Sequence, residues 1–249
     1  MIQLLPVRTI PEVEAGAPLG RLIVEAATRC GETVKPGDIV VVAQKIVSKA
    51  EGRIVRLESV TPSERARSVA ESLGKHDARL VEVVLRETRR IVRMGHGVLI
   101  VETLHGFVCA NAGVDLSNVD GGSSACLLPE DPDASARRIS HEIEALTGVA
   151  APVIVSDTFG RPWREGLVDV AIGLDGMGAM TDCRDQVDPH GYSLRVSALA
   201  DADQLAGAAG LVFRKTERVP VCVIRGFPYC RGKGSARDLV RAAQRDLFR

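Results

Sequence analysis

Asp157 and Thr158 directly follow a short apolar run in the stretch VIVSDTFGRPWREG, residues 153–166. A carboxylate beside a hydroxyl offers the hard oxygen ligands that Mg²⁺ and Mn²⁺ prefer. Arg161 and Arg164 come soon after, and their planar guanidinium groups suit the recognition of phosphate or carboxylate. The alternative is an ordinary turn, in which Asp157 caps the loop and solvent surrounds the arginines.

A second group of oxygen-bearing side chains lies in CANAGVDLSNVDGG, residues 109–122. Asp115, Ser117, Asn118 and Asp120 stand there among glycines, so the loop could hold a cation or a ribose. An Asx-rich turn is the commoner origin of such a composition. The spacing differs from that of an EF-hand, which disfavours a calcium loop.

Two lysines, Lys45 and Lys49, lie next to apolar sequence in AQKIVSKAEGR, residues 43–53. They could neutralise phosphates, or they could be ordinary surface lysines. The sequence has no Walker A motif, because RGKGS at residues 231–235 lacks the upstream glycine, and no G-x-G-x-x-G follows a predicted strand. A bound nucleotide would therefore need another kind of phosphate site.

Other classes of function are disfavoured. The G-x-S-x-G elbow of serine hydrolases is absent, and Cys109, between Val108 and Ala110, is interpreted as a small buried hydrophobe. His141 falls within a predicted helix and is expected at the surface. The 32 basic and 32 acidic residues give a net charge of zero, which argues against a general nucleic-acid binder.

The remaining totals indicate a cytoplasmic enzyme with reduced thiols. The chain has 249 residues, of which 45% are apolar, so a large core is possible. Its six cysteines form no C-x-x-C pair, which disfavours a zinc knuckle or a thioredoxin motif. We find no signal peptide and no apolar run near the roughly 20 residues that a membrane span needs.

Apolar runs predict the strands that would position these side chains. Residues 38–48 predict a strand buried on both faces, and residues 151–156 predict a strand that stops just before Asp157. Ligand sites often form beyond such strand ends. Further strands are predicted in residues 97–113, as a pair around a turn near His105 and Gly106, and in residues 167–174 and 219–226.

Capping signals predict the helices. Residues 61–74 predict a helix with Thr61 as its N-cap, and residues 131–148 predict one that buries Ile139, Ile143 and Leu146. Two more helices are predicted, in residues 201–213 and 235–248. Because helices and strands mix without strict alternation, the pattern favours an α+β fold with largely antiparallel pairing.

Four long motifs carry a resemblance to one family. They are VVVAQKIVSKAEGR, VCANAGVDLSNV, LLPEDPDASARRI and VIVSDTFGRPWREGLVDVAIG, and DPHGYSLRVSALADADQLAGAA extends the match. In this order and separation they resemble the coenzyme F420:gamma-L-glutamate ligase family, which adds glutamate to the lactyl-phosphate tail of a deazaflavin coenzyme. The resemblance covers nearly the whole chain.

The resemblance implies a single catalytic unit over residues 1–249, with mixed, largely antiparallel sheets and packed helices in two intimately associated lobes. It implies a GTP-dependent ligase whose partners are GTP, L-glutamate and the deazaflavin precursor, with no nucleic acid and no membrane. It also implies two divalent ions, Mg²⁺ or Mn²⁺, K⁺ as a possible helper, and a homodimer. An acyl phosphate made with GTP would activate the acceptor carboxylate for attack by the glutamate amine, with further glutamates γ-linked.

The family's catalytic and metal-binding positions fall on Asp115, Asp157 and Thr158. Its nucleotide-binding positions fall on Ile10, Pro11, Glu12, Val13, Gln44, Lys45, Lys49, Asn118, Phe213, Arg214, Lys215, Thr216 and Glu217.

This chain departs from the family pattern at two places. Gln44 stands where many relatives have Ser or Thr, and Arg214 and Lys215 stand where relatives often have a glycine followed by Gln or Glu. Glu217 is the substitute ligand that the sequence offers. The departure at Arg214 and Lys215 leaves one alternative open, a nucleotide-binding regulatory module without turnover. A ligase for a different phosphorylated acid is a third hypothesis, which a panel of substrates would separate.

Overall fold

The structure is a computed structural model that describes residues 1–74, 77–117, 120–184, 186–195, 198–214 and 217–247. Three of the predicted nucleotide-binding residues, Asn118, Lys215 and Thr216, lie outside the described residues. The helices are α1 (Leu19–Arg29), α2 (Gln44–Ala50), α3 (Glu64–Ser72), α4 (Ala78–Arg86), α5 (Pro132–Thr147) and α6 (Asp201–Phe213). The strands are β1 (Gln3–Val7), β2 (Ile39–Ala43), β3 (Ile54–Arg56), β4 (Thr88–Gly95), β5 (Val98–Thr103), β6 (Val108–Ala110), β7 (Ser124–Cys126), β8 (Val153–Arg161), β9 (Arg164–Asp175), β10 (Thr181–Asp182), β11 (Ala198–Leu199) and β12 (Val221–Arg225).

A five-stranded mixed sheet in the order β1-β12-β2-β8-β9 forms the centre of the molecule. Only β2 and β8 pair in parallel, and the other neighbours are antiparallel. Helices α1 and α5 cover one face, where Ile23, Ile139 and Ile143 are buried, and α6 covers the other through Leu205. The sheet is buried on both faces, which explains why its central strands are continuous apolar runs.

A second region is built around the antiparallel sheet β4-β5-β6 and the helices α3 and α4. Val69, Val84, Leu99 and Val101 form its core. The small pair β3–β7 lies between elements of both regions, because Gln44 of α2 donates to the backbone at Leu127, directly after β7. The α+β fold with largely antiparallel sheets is therefore confirmed.

The predicted strand over residues 38–48 is wrong in its second half. β2 ends at Ala43, and the chain continues at once as the helix α2. The last pairing of β2 with β8 joins Ala43 to Ser156, and Gln44 already begins the helix, although β8 itself continues further. Lys45 and Lys49 consequently lie one turn apart on the same side of a helix.

The polar stretch after Ser156 is not a loop. β8 continues through it to Arg161 and pairs with β9, from Ser156 opposite Ala171 to Arg161 opposite Arg164. The prediction that the strand ends before Asp157 is wrong because a second partner strand satisfies the backbone beyond the end of β2. Polar side chains are tolerated there since the hairpin extends past its inner neighbour and becomes partly exposed.

Two helix predictions differ in detail. The N-cap of α3 is Ser63, whose hydroxyl accepts a hydrogen bond from the Ala66 amide at 3.2 Å, rather than Thr61. Helix α5 begins and ends as predicted, with Asp131 as N-cap and Gly148 in the left-handed conformation at its end. Leu146 is exposed, however, because it lies in the last turn, beyond the part of α5 that packs on the sheet.

The predicted C-terminal helix over residues 235–248 is wrong. The described residues form two 3₁₀ turns there, at Ala236–Leu239 and Ala243–Arg245. Most side chains after Val240 are exposed, and a short helix without a buried apolar face gains too little from packing to persist. The segment is held instead by Asp133, which accepts hydrogen bonds from Ser235 at 2.5 Å and from the Ala236 amide at 3.1 Å.

Gly173 allows α5 to approach β9, and this contact generates a prediction. A Cβ atom at Gly173 would lie 2.3 Å from the carbonyl oxygen of Pro132, whereas a Cβ at Gly160 would meet nothing within 4 Å. We expect Gly173→Ala to lower the free energy of unfolding by about 2 kcal/mol or more, since the clash is with backbone. Gly160→Ala, in the neighbouring strand β8, is the matched control. Urea denaturation of both variants measures the difference, and equal stabilities would contradict the packing described.

Candidate active site

Asp115 is held in place by backbone contacts on both sides. It forms an isolated antiparallel bridge with Cys126, with hydrogen bonds of 3.0 Å and 2.8 Å between their backbones. The preceding residues Asn111, Ala112 and Gly113 all have positive φ, at 51°, 55° and 70°. This left-handed turn is unfavourable for the two residues that carry a Cβ, so the fold has to impose it.

Lys45 neutralises the Asp115 carboxylate. Its Nζ donates to Asp115 Oδ2, to Ser117 O and to Ser117 Oγ, each at 2.8 Å. The amide of Ser117 donates to Asp115 Oδ1 at 2.7 Å. Burial acts to raise the pKa of Asp115, but the hydrogen bonds from Lys45 and Ser117 outweigh it and hold the pKa below its usual range.

Asp157 is the most perturbed acid of the site. Burial raises its pKa to about 7, and the neighbouring carboxylates Asp115 and Asp169 add to the rise. The Thr158 amide, which donates to Asp157 Oδ1 at 2.8 Å, and the charge of Lys45 act in the opposite direction. The two predicted metal-binding acids are thus close enough to influence each other's charge.

Thr158 and Asp169 form a pair that the sequence analysis missed. They are directly opposite each other on β8 and β9, and the Thr158 hydroxyl donates to Asp169 Oδ1 at 2.5 Å. Asp169 interrupts the apolar run of residues 167–174. This interruption of the run by one acid was the only sequence signal for the role of Asp169. The same interruption is also typical of a strand position that faces solvent.

Lys49 faces the predicted N-terminal nucleotide segment. Its Nζ donates to the carboxylate of Glu12, whose side chain is exposed, while the Lys49 side chain is mostly buried. Of the other predicted residues there, Ile10 is half-buried, Pro11 is exposed and Val13 is buried. The structure therefore brings Glu12 and Lys49 together one helical turn from Lys45.

Gln44 lies in the interior rather than in an open position. It is 3% exposed, and its amide nitrogen donates to Ser48 Oγ at 2.5 Å and to the Leu127 carbonyl at 2.9 Å. These contacts fix the first turn of α2. That Gln44 binds a nucleotide remains a prediction. Its amide nitrogen already donates hydrogen bonds inside the protein.

The end of α6 borders the hairpin β8–β9. Phe213 packs against the core beneath α6, Arg214 ends the helix with a positive φ of 30°, and Glu217 is exposed. Gly210, one turn before Phe213, lies against the carboxylate of Asp169. Phe213 and Arg214 therefore follow directly after the turn of α6 that contacts Asp169.

The acids of the site do not form a metal cage by themselves. Among the described residues, no group of three or more His, Cys, Asp or Glu side chains has an arrangement that could hold a metal ion. Asp115 and Asp169 are nevertheless both electrostatic neighbours of Asp157, and Lys45 is the cation that acts on Asp115 and Asp157. The site combines an excess of negative charge with oxygen ligands.

The structure also describes the residues behind the functions that the sequence disfavours. Cys109 is buried as predicted, and burial together with the charge of Asp157 raises the pKa of its thiol to about 12, which makes it a poor nucleophile. His141 is exposed, as predicted. All six cysteines are free thiols. Within the described residues, every helix is too short or too polar to cross a membrane.

Asp157 should make stability depend on pH. Its folded-state pKa is raised, so the folded protein keeps a proton that the unfolded chain has lost, and stability falls as pH rises from about 4 to about 7. We expect Asp157→Asn to flatten this dependence and to be more stable than the wild type at pH 8 by at least about 1 kcal/mol. Denaturant titrations at pH 5 and pH 8 measure it, and parallel pH profiles for both proteins would contradict the assignment.

Comparisons with known proteins agree with the motif resemblance. The family model described as F420-0:Gamma-glutamyl ligase matches residues 8–226. A protein named coenzyme F420:L-glutamate ligase from Methanothermobacter thermautotrophicus is 46% identical over 100% of this chain and 99% of its own length. Proteins of the same name are 42% identical in Methanopyrus kandleri, over 100% of this chain and 98% of that protein, and 43% identical in Methanocaldococcus jannaschii, over 87% and 86%. This chain belongs to the F420-0:gamma-glutamyl ligase family.

Proposed function

We propose that this protein is a GTP-dependent ligase that joins L-glutamate to the lactyl-phosphate carboxylate of coenzyme F420-0, with γ-linkage for further glutamates. The family match and the names of the relatives support a ligase acting on F420 and glutamate. The use of GTP and the acyl-phosphate route are our proposals.

The observation that carries the proposal is the charge balance around Asp157. The charges of Asp115 and Asp169 both act on Asp157, and Lys45 is the nearby cation that lowers the pKa values of Asp115 and Asp157. A nucleotide brings further negative charge, so this site would repel it in the absence of additional cations. The arrangement is suited to a nucleotide that arrives together with divalent ions.

The donor set fits Mg²⁺ or Mn²⁺. These ions prefer carboxylate and hydroxyl oxygens, which Asp115, Asp157 and Thr158 supply. Mg²⁺ in particular is commonly held by one or two carboxylates together with substrate phosphates rather than by a complete protein cage. The lack of a three-ligand cluster among the described residues is in keeping with that mode. When bound, such ions would neutralise charge on the phosphate oxygens.

The reaction requires activation of a carboxylate that is otherwise a poor acyl donor. The acceptor carboxylate oxygen would bond to the γ-phosphorus as the bond to the GDP oxygen breaks, and the glutamate amine would then attack the acyl carbon. The new amide loses a proton and inorganic phosphate departs. Lys45 holds Asp115 in a fixed position, and β8 presents Asp157 and Thr158 rigidly, so positioning and charge would supply most of the rate.

The remaining predictions concern partners and specificity. The homodimer and the potassium ion implied by the family resemblance stay predictions. Arg214 and Lys215, which depart from the family pattern, keep open a nucleotide-binding module without turnover. A ligase for another phosphorylated acid is the third hypothesis. Both alternatives are distinguished from the proposed ligase by which product forms.

Mass spectrometry of the deazaflavin product tests the proposed function. After incubation of F420-0 with GTP, Mn²⁺ and L-glutamate we expect a product heavier by glutamyl residues, and phosphate release that depends on both the acceptor and glutamate. Asp157→Asn removes one charge at nearly constant shape, and we expect it to lower turnover by at least about a hundredfold. Product with ATP but not GTP would contradict GTP dependence.

Other outcomes of the same assay identify the alternatives. GTP binding with no phosphate release under any condition would favour a regulatory module. Phosphate release with another phosphorylated acid, but not with F420-0, would favour a different acceptor. Wild-type turnover of Asp157→Asn at limiting Mn²⁺ would contradict the role assigned to that carboxylate.

Lys49 should contribute to binding of the GTP phosphates. Lys49 lies near the end of α2, and its Nζ is held by the carboxylate of Glu12, which belongs to the predicted N-terminal nucleotide segment. We expect Lys49→Ala to weaken GTP binding by at least about 1 kcal/mol, or about fivefold, the lower range for a charged hydrogen bond. Lys35→Ala, at an exposed lysine outside the site, is the control. Unchanged GTP affinity of Lys49→Ala at low salt, measured by titration calorimetry, would contradict this role.

A further inference from the structure

The Thr158 hydroxyl has its single proton committed to Asp169. The donor is Thr158 Oγ1 and the acceptor is Asp169 Oδ1, at 2.5 Å. A hydroxyl carries one proton and two lone pairs, so an oxygen that has donated its proton can act toward any further partner only as an acceptor. This hydroxyl is therefore ready to bind a cation, and it cannot also donate to a phosphate oxygen.

Helix α6 holds Asp169 in the position that makes this bond. A Cβ atom at Gly210 would lie 2.4 Å from Asp169 Oδ2, so the carboxylate fits only because Gly210 lacks a side chain. Gly207, one turn earlier, faces the backbone oxygen of Asp169 at the ordinary contact distance of 3.6 Å from its would-be Cβ. The close approach of the helix limits the rotation of the Asp169 side chain.

The Thr158 hydroxyl is held from the side of β9. Asp157 and Thr158 are consecutive on β8, so their side chains point to opposite faces of the hairpin. Asp157 is opposite Val170, and the charges of Asp115, Asp169 and Lys45 act on it, whereas Thr158 is directly opposite Asp169. The hydrogen bond to Asp169 sets the direction of the lone pairs of Thr158 Oγ1.

We propose that Asp169 is a positioning residue, which holds the Thr158 hydroxyl as an acceptor for the divalent ion that accompanies the nucleotide. The inference rests on the proposed function. Asp169 affects metal binding through its hydrogen bond to Thr158. In other metal sites, residues that are hydrogen-bonded to the metal ligands likewise change the affinity for the metal.

A double-mutant cycle tests this dependence. The readout is the Mn²⁺ concentration at half-maximal binding of a fluorescent GTP analogue, which requires no turnover. We expect Asp169→Ala, which removes the acceptor, and Thr158→Val each to raise this midpoint by about tenfold, the lower range for partners of metal ligands. In the Thr158→Val background, Asp169→Ala should add less than about twofold, because the hydroxyl through which Asp169 acts is absent. An equal effect in both backgrounds would overturn the proposal.

Two glycine variants provide a matched comparison that leaves Asp169 in the chain. Gly210→Ala should displace its carboxylate and raise the Mn²⁺ midpoint as Asp169→Ala does. Gly207→Ala makes the same change in the same helix with room for the methyl group, and the midpoint should stay within about twofold of the wild type. Thermal melting verifies that all variants fold. An unchanged midpoint in folded Gly210→Ala would count against the proposal.

The experiment separates this inference from the proposed function. A wild type that binds the GTP analogue without any dependence on Mn²⁺ would overturn both. Mn²⁺-dependent binding in the wild type, with additive effects of the Asp169 and Thr158 substitutions, would overturn the positioning role alone. Loss of Mn²⁺ dependence in Thr158→Val, with no effect of Asp169→Ala, would also overturn it.

Discussion

The difference in length between β2 and β8 is the constraint on which the candidate site depends. The two strands pair only as far as Ala43 and Ser156, and β8 then continues with β9 alone. Inside the sheet, β8 must be apolar because both of its faces are covered. Beyond Ser156 one edge lies open, so Asp157 and Thr158 can be charged or polar while their backbone stays paired and rigid.

Three segments that are distant in sequence meet at this open edge. The chain leaves β2 directly into α2, which carries Lys45 to Asp115, and Asp115 is fixed by its bridge to Cys126. The field of Asp157 reaches both Asp115 and Cys109 of β6, so the two core regions of the molecule adjoin at that carboxylate. Burial of Asp157 among other acids costs stability in the absence of bound cations, a cost often found at functional sites.

The types and spacing of the side chains made part of this candidate site predictable from the sequence. The part that was missed depends on which strands pair with each other. Helix α5 was predictable because Asp131 and Gly148 are local signals at its ends. The extent of β8 was not, because it is set by β9, and the lengths of paired strands depend on contacts far apart in the chain. Asp169 was overlooked for the same reason, since its importance comes from Thr158 opposite it rather than from its own neighbours.

The two sides of the β8–β9 hairpin also explain why the predicted nucleotide residues come from both ends of the chain. Glu12 and Lys49 belong to the side of the hairpin that carries Asp157, near α2. Phe213 follows Gly210 on α6, which packs against Asp169 on the opposite side. A nucleotide in contact with both groups would have to cross the open edge of β8, the edge that β2 leaves free. Its phosphates would then lie beside the polar end of β8, which stays paired with β9, and consecutive side chains of that strand would reach it from two faces.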